Sequence, residues 1–137
     1  MSETKSVQVV AALIRREDGR ILICQRPRQK ARGLLWEFPG GKVEPGETEA
    51  QALIRECREE LGILIQPGQA AARVEHAYPD LFVRLSLLEA RILQGTPQRL
   101  EHEALCWAAP EELPGYDFCP ADRPILERLA AAGHPAG

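Results

Sequence analysis

Three glutamates, Glu56, Glu59 and Glu60, stand at positions i, i+3 and i+4. On a helix they project from neighbouring turns of one face, where like charges repel. A divalent cation would offset that repulsion, and hard cations such as Mg²⁺ take carboxylate oxygens. The competing reading is a solvated helix face neutralised by Arg55 and Arg58. The stretch ahead of the acids favours the cation. Phe38-Pro39-Gly40-Gly41-Lys42 is a turn whose glycines let backbone come close to a ligand. Pro45-Gly46-Glu47-Thr48 supplies a second turn and a helix start, with Thr48 as N-cap. The helix is expected over 48–61. Ala50, Leu53, Ile54, Cys57 and Leu61 face a core, the glutamates lie mostly opposite, and Gly62 is the stop.

Around this stretch the chain reads as strands. Residues 6–15 form a buried apolar run, and 21–26 form a second strand after the Asp18-Gly19 turn, so the pair is expected as a hairpin. A basic loop, Arg26 to Gly33, follows, then a short strand over 34–38. Most of the loop's charges read as solvated, with Arg26 the candidate phosphate contact. Pro67-Gly68 reads as a turn, and strands are expected over 70–78, 81–93 and 103–107. Pro110 opens a helical turn. The segment from Pro120 to Leu129 opens a last helix with an Ile125, Leu126, Leu129 stripe. The tail 131–137 is expected to fray. The expected class is an α/β sandwich, a mixed sheet with a main helix on each side.

The 137-residue length suits a single domain. A net charge of −3 gives no electrostatic reason to bind a nucleic-acid polymer or an anionic membrane. Cys24, Cys57, Cys106 and Cys119 are scattered among apolar neighbours with no Cys-x-x-Cys pair, which excludes an obvious zinc or dithiol motif. Reduced cysteines and the lack of a signal-peptide pattern lead us to expect a cytoplasmic protein.

Taken together, Gly41, Glu47, Arg55, Glu56, Glu59, Glu60, Gly62 and Ile63 resemble the Nudix box: Gly, five residues, Glu, seven residues, Arg-Glu, an aliphatic, one residue, Glu-Glu, one residue, Gly, aliphatic. Cys57 departs from the usual aliphatic and touches no catalytic position. The Phe38–Lys42 turn, Tyr78-Pro79-Asp80, the Glu101 to Trp107 spacing and Phe118 to Pro124 extend the resemblance to the MutT branch. It implies one Nudix domain over 1–137, a Nudix-type α/β/α sandwich, and hydrolysis of nucleoside triphosphates to monophosphate and pyrophosphate. It also implies Mg²⁺, with Mn²⁺ able to substitute. The implied partner is a small nucleotide, with the chain acting as monomer or homodimer.

The resemblance assigns roles residue by residue. Glu56, Glu59 and Glu60, the Gly40 carbonyl and Glu101 are the implied metal ligands. Glu56 or Glu101 is the implied general base, and Arg55 paired with Glu47 orients the helix. Arg26, Gly41 and Lys42 lie at the phosphates, while Phe38 and Tyr78 flank the base. Asp122 occupies the base-reading position, where MutT carries asparagine. An ionised Asp122 suits an exocyclic amine or the N7-H of an 8-oxopurine, and a protonated one suits a guanine carbonyl. The substrate therefore stays open between 8-oxo-dGTP, taken first, and CTP, dCTP or a 5-modified cytosine nucleotide, to which Pro120-Ala121-Asp122 with Glu101-His102-Glu103 looks closer. An ADP-ribose or dinucleoside polyphosphate hydrolase and a non-catalytic binding module are further alternatives. His76 and His102 are expected to face solvent and carry no role.

Overall fold

The computed structural model describes residues 5–132. β1 (Ser6–Ile14) and β2 (Ile21–Gln25) lead to the short strands β3 (Trp36–Glu37) and β4 (Gly40–Lys42). Helix α1 (Glu49–Leu61) follows, then the long strands β5 (Leu64–Ala77) and β6 (Phe82–Gln94), then β7 (Ala104–Ala108). Two 3₁₀ turns, Pro110–Gly115 and Pro120–Asp122, lead into α2 (Arg123–Ala132). No helix among the described residues is long and apolar enough to cross a membrane.

The strands form two sheets. One has the order β4-β1-β6-β5 and the other β3-β2-β7. β1 runs parallel to β6 from Ser6 opposite Phe82 to Ile14 opposite Ala90, and antiparallel to β4. A parallel pair needs a long crossover, and here α1 and β5 supply it. The hairpin expected from β1 and β2 is corrected: they share one bridge, Arg15 with Ile21, and then diverge into separate sheets. The reason lies in the apolar runs themselves. Val10 to Ile14 and Ile21 to Cys24 are buried on both faces, so each strand is central in its sheet, with neighbours on both edges.

Packing partners alternate along these central strands and place the helices on opposite sides. Val10, Ala12, Ile14, Leu22 and Cys24 pack with Leu53, Cys57 and Leu61 of α1. Ala11, Leu13, Ile21 and Ile23 pack with Phe118, Ile125, Leu126 and Leu129 on the α2 side. The result is an α/β/α sandwich. Truncating Leu53, which is fully buried, to alanine would cost about 2–5 kcal/mol by the usual cavity penalty.

Local corrections have local causes. Pro67-Gly68 lies inside β5, at a register shift between Pro67 and Ala70. β5 is an edge strand, where a proline without an N–H and a bulge are both tolerated. The strand expected over 34–38 shrinks to Trp36–Glu37 because Arg32 and Leu34 adopt positive φ angles of 58° and 65°. Of the tail expected to fray, 131–132 still belong to α2, and the rest lies outside the described residues. Cys24, Cys57 and Cys119 are buried, Cys106 is half-buried, and all four are free.

Candidate active site

α1 begins where its sequence says it should. Thr48 Oγ1 accepts from the Gln51 N–H at 3.1 Å, and Gln51 Oε1 accepts from the Thr48 N–H at 2.9 Å, closing a capping box. Ahead of it, β4 presses against β1. A Cβ on Gly40 would fall 2.0 Å from the Val10 carbonyl oxygen, and one on Gly41 would fall 2.5 Å from the Glu56 carboxyl carbon. No side chain fits at Gly40, where the neighbour is backbone, and one at Gly41 would displace the Glu56 carboxylate, so the glycines bring the loop backbone against the carboxylate of α1.

Where the two sheets part, they leave a cleft of about 400 Å³. It gathers Arg26, Phe38, Gly40, Gly41, Lys42, Glu56, Glu60, Tyr78, Glu101 and Asp122 from six separate segments of the sequence. Glu59 and Glu47 do not line it. Instead, Arg55 gathers the acids around itself: Nε and Nη2 donate to the two Glu47 oxygens at 2.8 and 3.0 Å, and Nη1 donates to Glu56 Oε1 at 2.8 Å. Nη1 also stands 3.5 Å from Glu59 Oε2, and Nη2 donates to the Lys42 carbonyl at 3.1 Å. One guanidinium thus ties the glycine loop to the helix. Its hydrogen bonds hold Glu47 near pKa 2.

The cleft end of α1 is electrostatically unsettled. Burial, then Glu56, Glu37 and Glu101, push the Glu60 carboxyl up to about 9, and its Oε1 is buried without a partner. Burial also raises Glu56 against the opposing pull of Arg55. No three His, Cys, Asp or Glu side chains among the described residues converge tightly enough to form a metal cage by themselves. An unpartnered buried carboxylate oxygen among mutually repelling acids is nevertheless the donor chemistry that suits a hard divalent cation.

Arg26 is not free for phosphate alone. Its Nη1 donates to Glu37 Oε1 at 3.0 Å and its Nε donates to the Ala31 carbonyl at 2.9 Å. Phe38 is 2% exposed and tilts against Phe118 at 5.4 Å, so it serves the core as well as the cleft. Tyr78 accepts from the Ala121 N–H at 3.0 Å, and the Arg32 guanidinium lies 4.1 Å over its ring. Asp122 is 5% exposed on the turn before α2, and burial and Glu37 push its carboxyl well above the usual range.

Sequence reasoning gave no site role to five charged or titratable residues that line the cleft: Lys30, Arg32, Glu37, Glu44 and His102. Lys30 and Arg32 belong to the loop read as solvated. Glu37 sits between apolar neighbours in a short strand, a position that signals a buried acid only in hindsight. His102 corrects an expectation outright: it is buried, with its Nε2 at 3.9 Å from Glu60 Oε2. Burial, with Lys30 and Arg26, holds it neutral, at a pKa of about 4. His76 is half-buried and packs edge-on to Tyr78 at 4.5 Å rather than facing solvent.

Comparison with known proteins places these features in a family. A NUDIX domain family model matches residues 10–128. A CTP pyrophosphohydrolase of Escherichia coli (strain K12) is 46% identical over 96% of this chain and 98% of its own length. An 8-oxo-dGTP diphosphatase of the same organism is 34% identical over 91% of this chain and 97% of its own. The crystal structure of a MutT protein from Methanosarcina mazei Go1 superposes with a TM-score of 0.85 at 27% identity, covering 98% of this chain and 100% of that one.

Proposed function

The chain belongs to the Nudix family and is a nucleotide pyrophosphohydrolase, and we propose that it uses Mg²⁺ to hydrolyse nucleoside triphosphates to monophosphate and pyrophosphate, cytosine nucleotides foremost. The observation that carries the reaction is the glycine loop pressed on the Glu56 carboxylate beside the unpartnered Glu60. The reading fits a divalent cation held by Glu56 and Glu60, with Gly40 and Glu101 at the same cleft and Glu59 reached by a rotation away from Arg55. When bound, Mg²⁺ offsets polyphosphate charge and acidifies water near neutral pH.

The chain's own residues would do the rest. Glu56 or Glu101 takes the proton from the attacking water as its oxygen bonds to phosphorus and the bridging P–O bond breaks. Arg55 and Glu47 keep the glycine loop and α1 in fixed relation, so that the acids keep their aim. Arg26, Lys30 and Arg32, with the Gly41 and Lys42 backbone, supply positive charge and N–H donors for phosphate oxygens.

Asp122 bears on the base. In its neutral form, the form that burial favours, its carboxyl presents an O–H donor beside a carbonyl acceptor. That pattern matches the N3 acceptor and N4 amine of cytosine. It also matches O6 and N7-H of an 8-oxopurine, whereas the N7 and O6 of unmodified guanine are both acceptors. Neutral Asp122 therefore matches both nucleotides at two atoms and dGTP at one, the O6 carbonyl. The 46% identity to a CTP pyrophosphohydrolase favours cytosine, while 8-oxo-dGTP, with a role in cleansing the nucleotide pool, is the second reading. A cytoplasmic setting and monomeric or homodimeric action are part of the same proposal. Comparing kcat/KM for CTP, dCTP, 5-methyl-dCTP, 8-oxo-dGTP, dGTP, ATP and ADP-ribose tests the order. Cytosine nucleotides should lead and dGTP should trail. A lead for 8-oxo-dGTP would install the second reading, and a lead for ADP-ribose would reject both.

A further inference from the structure

His102 has no role in the chemistry above, yet its side chain is only 2% exposed at the wall of the cleft. The backbone fixes its place: the Glu103 N–H donates to the Gln25 carbonyl at 3.0 Å, and Arg99 Nη1 donates to the Glu103 carbonyl at 2.9 Å. The segment carrying the imidazole is thus tied to the end of β2. His102 Nε2 stands 3.9 Å from Glu60 Oε2, a small rotation beyond hydrogen-bond range. The far atoms of the two groups, Glu60 Oε1 and His102 Nδ1, are both buried without partners.

A buried N–H without an acceptor is rarer in proteins than an under-satisfied acceptor. This puts the imidazole proton on Nε2, toward Glu60, and leaves Nδ1 as the lone pair. We propose that His102 is the positioning residue of Glu60: its Nε2–H closes on Glu60 Oε2 and turns Oε1 toward a divalent cation in the cleft. The inference rests on the metal reading above and deepens it. Carboxylates that ligate metals are themselves held by hydrogen bonds, and losing such a partner typically costs 10–100-fold in metal affinity.

Mn²⁺ binding, read from the free-ion electron paramagnetic resonance signal, tests this without turnover. His102→Phe keeps an aromatic ring and removes the donor; it should weaken Mn²⁺ binding about 10–100-fold. His102→Gln places an amide N–H near the same point and should restore most of the binding that His102→Phe loses. Unaltered binding by His102→Phe would overturn the assignment, as would equal losses in both variants, which would show a packing role. Imidazole ¹⁵N resonances of the unchanged protein decide the matter even if a variant fails to fold. With Mg²⁺ present, an Nε2–H tautomer is the expected result and an Nδ1–H tautomer the contrary one. Failure of the unchanged protein to bind Mn²⁺ would instead reject the metal reading, and this inference with it.

Discussion

Arg55 and Glu47 meet twice, Nε on Oε2 at 2.8 Å and Nη2 on Oε1 at 3.0 Å. The same guanidinium reaches Glu56 at 2.8 Å. A flat fork can serve both acids at once, whereas an ammonium cannot. Arg55→Lys should therefore lower kcat about 10–100-fold, the usual cost of losing a partner that orients ligating groups, while far-UV circular dichroism stays unchanged. Wild-type turnover in the lysine variant would remove Arg55 from the orienting role.

Replacing Glu60 separates its electrostatic cost from its use. Glu60→Gln removes a raised carboxyl from an acidic cleft, so the metal-free variant should unfold at a higher temperature than the parent. It should also lose activity by orders of magnitude, because a carboxylate donor to the cation is gone. Calorimetry and steady-state kinetics on the same preparation check both halves. Activity near that of the parent would sink the assignment of Glu60.

The pH dependence of stability follows from the same group. Its folded pKa of about 9 exceeds the ordinary carboxyl value of 4.5. The folded chain therefore retains a proton that the unfolded chain gives up, and stability falls as pH rises between those values. His102 works the other way, but only between about 4 and 6.5. Between roughly pH 6.5 and 8.5, the metal-free protein should thus lose melting temperature as pH rises. Added Mg²⁺ should reduce the slope, and Glu60→Gln should flatten it in part. A melting temperature that climbs over this range would contradict the electrostatics of the cleft.

Thr48→Ala tests the helix start. Losing the capping hydrogen bond should cost about 1 kcal/mol and lower the melting temperature by roughly 3–5 °C for a chain of this size. The KM for nucleotide should stay close to that of the parent, since Thr48 does not line the cleft. A melting temperature equal to the parent's would show that tertiary packing alone holds this turn.

Asp122→Asn keeps the shape of the side chain and replaces its O–H donor with an amide. The ranking of CTP, 8-oxo-dGTP and dGTP by kcat/KM should change, because the amide presents donor and acceptor in a different balance. An unchanged ranking would take Asp122 out of the base pocket.

What could be read from the chain divides along a physical line. The helix within Gly41 to Ile63 was legible because its constraints are local: an N-cap such as Thr48 acts within one turn, and helical periodicity sorts Leu53 from Glu56. Asp122, far away in sequence, was reachable only through family resemblance. The divergence of β1 and β2 was not legible, since an Asp-Gly turn between apolar runs is also how a hairpin reads. Arg32 over Tyr78, Glu37 beside Arg26 and His102 beside Glu60 arise from long-range packing. A glutamate flanked by Trp36 and Phe38, or a histidine between two glutamates, carries no local sign of where its neighbours will stand.

The most direct test of the proposed reaction is ³¹P NMR of CTP incubated with the protein and Mg²⁺. CMP and pyrophosphate are the expected products, with none formed by Glu60→Gln. CDP with orthophosphate, or no turnover of any nucleoside triphosphate, would contradict the proposal.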